Sequence, residues 1–310
     1  MFANTPMGTL NVMLAACANE SESPQPLARI ADVFTPQLFR DNVDLVTASL
    51  EQYLSDASIR GLALTDPKVL RAQAKQLMND EQNGVPCTDQ EKLKSIIDLY
   101  IKTGIAVHSP GYMGRQFSGV IPLAGIFDLV NSVVNQPSSF YEAGQLPNVA
   151  ESLMAEEFNR FIGYQPDEFA MVTTSGASLA NLTAILAARN DKYPDCWSQG
   201  FASATAGTRP AIAVSEDSHY SVTRAAGILG IGEQQIIRLP TNVNKQICID
   251  QVGPTLEAAK AQGLDVFCMV AAVGTTCVGA FDPIDALAQV CQARNIWLHV
   301  DGAHGGSLLV

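Results

Sequence analysis

The rhythm of apolar and polar residues changes once along this chain, near residue 169. Before that point the spacing is helical. From Gln37 to Ser55 the apolar residues Leu38, Phe39, Val43, Val46, Leu50, Tyr53 and Leu54 recur at a helical period. Asp66-Pro67 offers an N-cap and a first-position proline for a helix to about Asn79. Thr88 and Glu91 form a capping box ahead of Leu93, Ile97, Tyr100 and Ile101, and Gly104 ends that helix. Two more helices are expected, from Pro122 to about Asn135 and from about Asn148 to Ile162, the latter stopped by Gly163. Residues 1–100 are therefore read as a helical N-terminal segment, either a dimer-contact arm or a cap on the same subunit. Residues 101–310 form the second part of the chain.

From Phe169 onward short apolar runs alternate with helical stretches. Ala170–Val172 is followed by a helix from Ser178, and Ala211–Val214 by a helix from about Ser218. Ile236–Leu239 comes next, then Val266–Val273 with a helix opened by Asp282-Pro283, and finally Trp297–Val300. Strand-helix alternation predicts an α/β fold, a mostly parallel sheet with helices on both faces. No internal repeat or low-complexity segment interrupts it.

Composition narrows the function classes. Of 310 residues 47% are hydrophobic, as in a globular protein, and the net charge of −12 argues against a non-specific grip on nucleic acid phosphates. The seven cysteines are odd in number, scattered and free of any C-x-x-C, which reads as a reduced, cytoplasmic protein. Leu14-Ala15-Ala16-Cys17 has the form of a lipoprotein cleavage box. No Lys or Arg precedes it, and Asn4, Pro6, Gly8 and Asn11 break the apolar run that such a signal needs. No stretch approaches the ~20 apolar residues of a membrane-spanning helix.

In a parallel sheet the ligand lies beyond the carboxyl ends of the strands. Four groups of residues fall there. Gly176, Ala177 and Ser178 open a helix, where backbone N–H groups favour a phosphate. His219 follows the second run, Thr276 follows the long run ending near Val273, and Asp301 follows Val300. Each alone has a bland reading, such as an N-cap at Ser178 or a structural histidine at 219. No strand is followed by G-x-G-x-x-G and no P-loop occurs, which disfavours a nicotinamide or nucleotide site. A metal site drawn from His299, Asp301 and His304 lacks a fourth ligand. Together the four groups suit a phosphate-bearing aromatic cofactor with a basic ring nitrogen, and pyridoxal 5'-phosphate is such a molecule.

The motifs extend the reading. T-S-G-A-S-x-A-N at Thr174–Asn181, S-x-x-x-H-Y-S at Ser215–Ser221, G-T-T-x-x-G-A-F-D-P-I at Gly274–Ile284 and W-L-H-V-D-G-A-H-G-G at Trp297–Gly306 occur in order. From about residue 100 to the end the chain resembles the group II pyridoxal-phosphate-dependent amino-acid decarboxylases. The resemblance implies fold type I, with residues 101–310 as the first part of a cofactor-binding large domain. It implies phosphate contacts at Ala177 and Ser178, beside the Gly176 already read as part of the phosphate site, a ring-stacking catalytic His219, Thr276 beside the ring and a catalytic Asp301 on the ring nitrogen. Ala303 would pack beneath the ring, near His304, and Gln116 would receive the substrate carboxylate. The Tyr112–Gln116 loop is similar to that of bacterial glutamate and aspartate decarboxylases, which implies a small acidic substrate, with aromatic or diamino acids as the alternative. A homodimer is expected by the same resemblance. The Schiff-base lysine of that family lies beyond the position of Asp301, no Lys follows Asp301 here, and Lys245 and Lys260 do not match it. The chain is thus expected to be an N-terminal part of a longer enzyme. A non-catalytic fragment that binds the cofactor or a partner subunit is the reading from another class.

Overall fold

A computed structural model describes residues 35–309, apart from 57, 59–60, 62–63, 78–80, 83–84, 87, 115–117 and 167. The Cys17 box and Gln116 lie outside the described residues. The chain divides into two compact units, residues 1–120 and 121–310.

The first unit is helical for local reasons visible at each helix start. Helix α1 (Pro36–Ser55) begins at Thr35, whose hydroxyl accepts the Leu38 N–H, with Pro36 in the first turn. Helix α2 (Pro67–Leu77) begins where the Asp66 carboxylate accepts the N–H groups of Lys68 and Val69. Helix α3 (Asp89–Thr103) carries the full capping box: Thr88 N–H donates to Glu91 Oε2 at 2.8 Å, and Glu91 N–H donates to Thr88 Oγ1 at 3.3 Å. Helices α1 and α2 both pack against α3, and a hairpin of two-residue strands joins α2 to α3.

The second unit opens with α4 (Pro122–Val134) and α5 (Gln145–Ile162). It continues through α6 (Ala177–Lys192) into the alternating region. There β1 (Arg209–Ser215), α7 (Tyr220–Ile228), β2 (Ile236–Leu239), α8 (Ile249–Ala261), β3 (Leu264–Ala272), α9 (Ile284–Arg294) and β4 (Trp297–Asp301) follow in order. The sheet runs β2-β1-β3-β4 and every pairing is parallel. Side chains alternate across it. Ile212, Val214, Cys268 and Val270 face α6 and α7 through Ile185, Ala188, Val222, Ala225 and Ala226. Ala213, Met269 and Ala271 face α8 and α9 through Val252, Leu256, Leu287 and Cys291. Both faces of the central strands are covered, so β1 and β3 read as unbroken apolar runs. A register shift against Ala211/Ile212 leaves Phe267 as an extra residue in β3, packed into the α6–α7 side.

One expected strand does not form. Ala170–Val172 joins no ladder: the Thr173 N–H is given to the Glu151 carboxylate on α5 at 2.8 Å, and Val172 is exposed. The helix expected from Ser178 is capped at Gly176, so Ser178 lies inside its first turn rather than at the cap. The connections place the site. From β1 the chain turns to β2 with α7 on one face; from β3 it turns the other way to β4 with α9 on the opposite face. Neighbouring strands that diverge in this way open a crevice at their carboxyl ends.

Candidate active site

The residues that follow β1, β3 and β4 stand at this end of the sheet, and α6 reaches them through Asn181. Asp301 is the last residue of β4. Its Oδ1 accepts the Ala303 N–H at 3.1 Å, and its Oδ2 accepts from Asn181 Nδ2 at 2.9 Å. Each carboxylate oxygen therefore keeps lone-pair capacity for one further donor. His299 lies two residues earlier on the same strand face, with Nε2 at 2.8 Å from Asn181 Oδ1. Burial pushes its pKa below the ordinary histidine value, against the opposing pull of the Asp301 charge. No group of three or more His, Cys, Asp or Glu side chains that could hold a metal ion occurs among the described residues.

His219 caps α7. Its Nδ1 lies 2.8 Å from Ser221 Oγ and accepts the Ser221 N–H at 3.3 Å. Ser221 Oγ in turn accepts from Asn181 Nδ2 at 2.9 Å. His219 and Asp301, far apart in sequence, are thus joined through Ser221 and Asn181. Tyr220 stands beside the imidazole, ring centroids 4.1 Å apart, with the Arg224 guanidinium 4.7 Å from its own ring.

Gly176, Ala177 and Ser178 form the start of α6, Ala177 lying four residues or about 6 Å of helix rise before Asn181. No side chain caps this helix, and the N–H groups of Ala177 and Ser178 have no partner among the described residues. A Cβ placed on Gly176 would meet nothing within 4 Å. The arrangement leaves donors and open space at a positive helix end, the donor set a phosphate requires.

The loop after β3 is pinned before it reaches Thr276. Thr275 is buried, and its hydroxyl accepts the Ala280 N–H at 3.0 Å, while Thr276 itself is exposed. Gly274 has φ +84°, and a Cβ there would lie 3.0 Å from Gly305 N and 3.1 Å from the His304 ring. The loops after β3 and β4 therefore touch through backbone, with Gly305 N–H donating to Val273 O at 2.9 Å. Ala303 and His304 are exposed on the second of these loops.

Sequence reasoning gave no role to Asn181 or Ser221, which sit at the centre of the group. A signal was present: Asn181, Ile185 and Ala188 are the buried stripe of α6, and an amide on an apolar stripe demands partners.

Comparison with known proteins decides the family. Residues 100–310 match the model described as the pyridoxal-dependent decarboxylase conserved domain. The chain belongs to this family. Cysteine sulfinic acid decarboxylase of Rattus norvegicus is 31% identical over 220 residues, which is 71% of this chain and 43% of that protein. The acidic amino acid decarboxylase GADL1 of Xenopus tropicalis is 28% identical, covering 77% of this chain and 45% of its own length. The chain thus spans less than half the length of these curated relatives. The crystal structure of mouse CSAD in apo form superposes with a TM-score of 0.79 at 26% identity, over 89% of this chain and 57% of that one. The fold of the pyridoxal-dependent decarboxylases, fold type I, is therefore the fold of this chain.

Proposed function

We propose that the full-length protein containing this chain is a pyridoxal-phosphate-dependent carboxy-lyase that removes the α-carboxyl group of a small acidic L-amino acid. The observation that carries the reading is the Asp301 carboxylate. It stands at the carboxyl end of β4, held on both oxygens, and connects to His219 through Asn181 and Ser221. The donor set fits the cofactor: free N–H groups at the start of α6 for a phosphate, a carboxylate for a protonated ring nitrogen and a flat imidazole. When bound, pyridoxal phosphate supplies an electron sink whose strength depends on a protonated ring nitrogen.

The chain's own residues then have separable tasks. Gly176, Ala177 and Ser178 bind the phosphate. Asp301 holds the proton on the ring nitrogen, and the Ala303 N–H together with Asn181 keeps the carboxylate from rotating. His219 stacks on the ring. Thr276, Ala303 and His304 complete the surroundings, and Gln116 receives the substrate carboxylate. The acidic substrate is supported by the Tyr112–Gln116 sequence and by relatives named for cysteine sulfinic acid, acidic amino acids and L-aspartate. The relative named for L-2,4-diaminobutyrate, 26% identical, supports a diamino acid as the second reading. A homodimer in the cytoplasm is proposed with it. The described cysteines are all free thiols, three of them buried. No described helix is long and apolar enough to cross a membrane.

The test is product analysis with the full-length protein and added cofactor, offered glutamate, aspartate, cysteine sulfinate, diaminobutyrate and aromatic amino acids in competition. The expected result is carbon dioxide with the decarboxylated acidic amino acid as main product. Aromatic amines or a diamine as the main product would contradict the acidic assignment, and no carbon dioxide from any substrate would contradict the reaction.

A further inference from the structure

We propose that Asn181 is the positioning residue of this site: its carboxamide holds the Asp301 carboxylate and fixes where the ring protons of His299 and His219 sit. The catalytic meaning of this rests on the function proposed above, whereas the proton placement does not.

A carboxamide has two N–H donors and one acceptor oxygen. Asn181 is 3% exposed and uses all three. Nδ2 donates to Asp301 Oδ2 and to Ser221 Oγ, both at 2.9 Å, and Oδ1 lies 2.8 Å from His299 Nε2. The amide has one acceptable orientation, since turning it over would set Oδ1 against the Asp301 carboxylate. With Oδ1 as acceptor, His299 Nε2 must carry the hydrogen. The second consequence runs through Ser221. Its oxygen accepts from Asn181, and because His219 Nδ1 also receives the Ser221 backbone N–H and is therefore an acceptor, the Ser221 hydroxyl hydrogen goes to that nitrogen, 2.8 Å away. Two donors on Nδ1 place the His219 ring hydrogen on Nε2. One buried amide thus sets the carboxylate of β4, the histidine of β4 and, through one hydroxyl, the histidine that caps α7. Such a chain polarises along its length, so a change at one end reaches the other. An asparagine that merely filled a buried corner would leave both rings unchanged on removal.

The test uses the full-length protein containing this chain, freed of cofactor and labelled with nitrogen-15 in its histidines. Long-range proton–nitrogen spectra report which ring nitrogen carries hydrogen. In the parent chain His219 and His299 are both expected as Nε2–H. In Asn181→Ala, His299 loses its acceptor. Its tautomer ratio is expected to move about fivefold or more toward a mixture, the factor for one hydrogen bond of ~1 kcal/mol, with His219 following in part. In Ser221→Ala only His219 should shift, because the Asn181 contacts to Asp301 and His299 remain; this variant decides the matter if the first does not fold. Unchanged rings in Asn181→Ala, or an unchanged His219 in Ser221→Ala, would overturn the proposal. Because no cofactor or substrate is present, either outcome is independent of whether the decarboxylase assay succeeds.

Discussion

At the scale of single residues, the site is held by buried polar groups that answer one another. His299 is the one whose protonation the fold opposes. Burial lowers its folded pKa below the ordinary 6.5, and its Nε2–H is committed to Asn181. The sign follows from linkage. Above about pH 6.5 neither the folded nor the unfolded chain binds this proton, so it does not affect stability. As the pH falls below that value the unfolded chain takes up the proton first, and stability is lost until the folded ring protonates too. The melting temperature of the chain should therefore fall more steeply between about pH 7 and 5 than that of His299→Gln, which cannot take up the proton. Parallel curves for the two would contradict the assignment.

At the scale of elements, the crevice keeps its shape because loops are stapled to strand ends. Asp282 is the clearest staple. Its Oδ1 accepts the Ile247 N–H at 2.8 Å and its Oδ2 accepts the Ala272 N–H at 2.7 Å, tying the approach to α8 to the end of β3. Burial pushes its carboxyl up, and the two N–H groups pull it back. Asp282→Asn would set an amide N–H against one of these donors. The loss expected is about 1–3 kcal/mol, one buried donor left without an acceptor, read by urea denaturation. Full retention of stability would show that the loop is held elsewhere. In the sequence, Asp282-Pro283 reads as the start of a helix, which it precedes, yet the aspartate's partners are 10 and 35 residues away and no local pattern reveals them. The same limit governs the rest of the reading. The run Ile236–Leu239 is legible to the residue, and it forms a strand because β1 accepts its ladder. Ala170–Val172 is also a short apolar run but forms no strand, because a strand exists only where a neighbour accepts its ladder. Asp301 and His219 were legible as strand-end chemistry, whereas Asn181, which joins them, lies on a helix stripe and contacts residues 40 and 120 positions away.

At the scale of the whole molecule, the central strands β1 and β3 are covered on both faces, whereas two helices carry exposed apolar side chains. On α4, Leu123, Ile126, Phe127, Val130 and Val133 are all exposed, and on α5 so are Leu153, Phe158 and Phe161. Large apolar side chains at this spacing leave an apolar surface on both helices. The crevice, by contrast, is assembled within residues 121–310 from the ends of β1, β3 and β4 and the start of α6.

In the proposed site Asp301 stands on the ring nitrogen of pyridoxal phosphate. Nitrogen-15 NMR of ring-labelled cofactor bound to the full-length protein tests it most directly, with Asp301→Asn as the comparison. A protonated ring nitrogen is expected in the parent, a deprotonated one in Asp301→Asn, and a loss of turnover of about 10²-fold or more in the variant. The same ring-nitrogen signal in both proteins would contradict it.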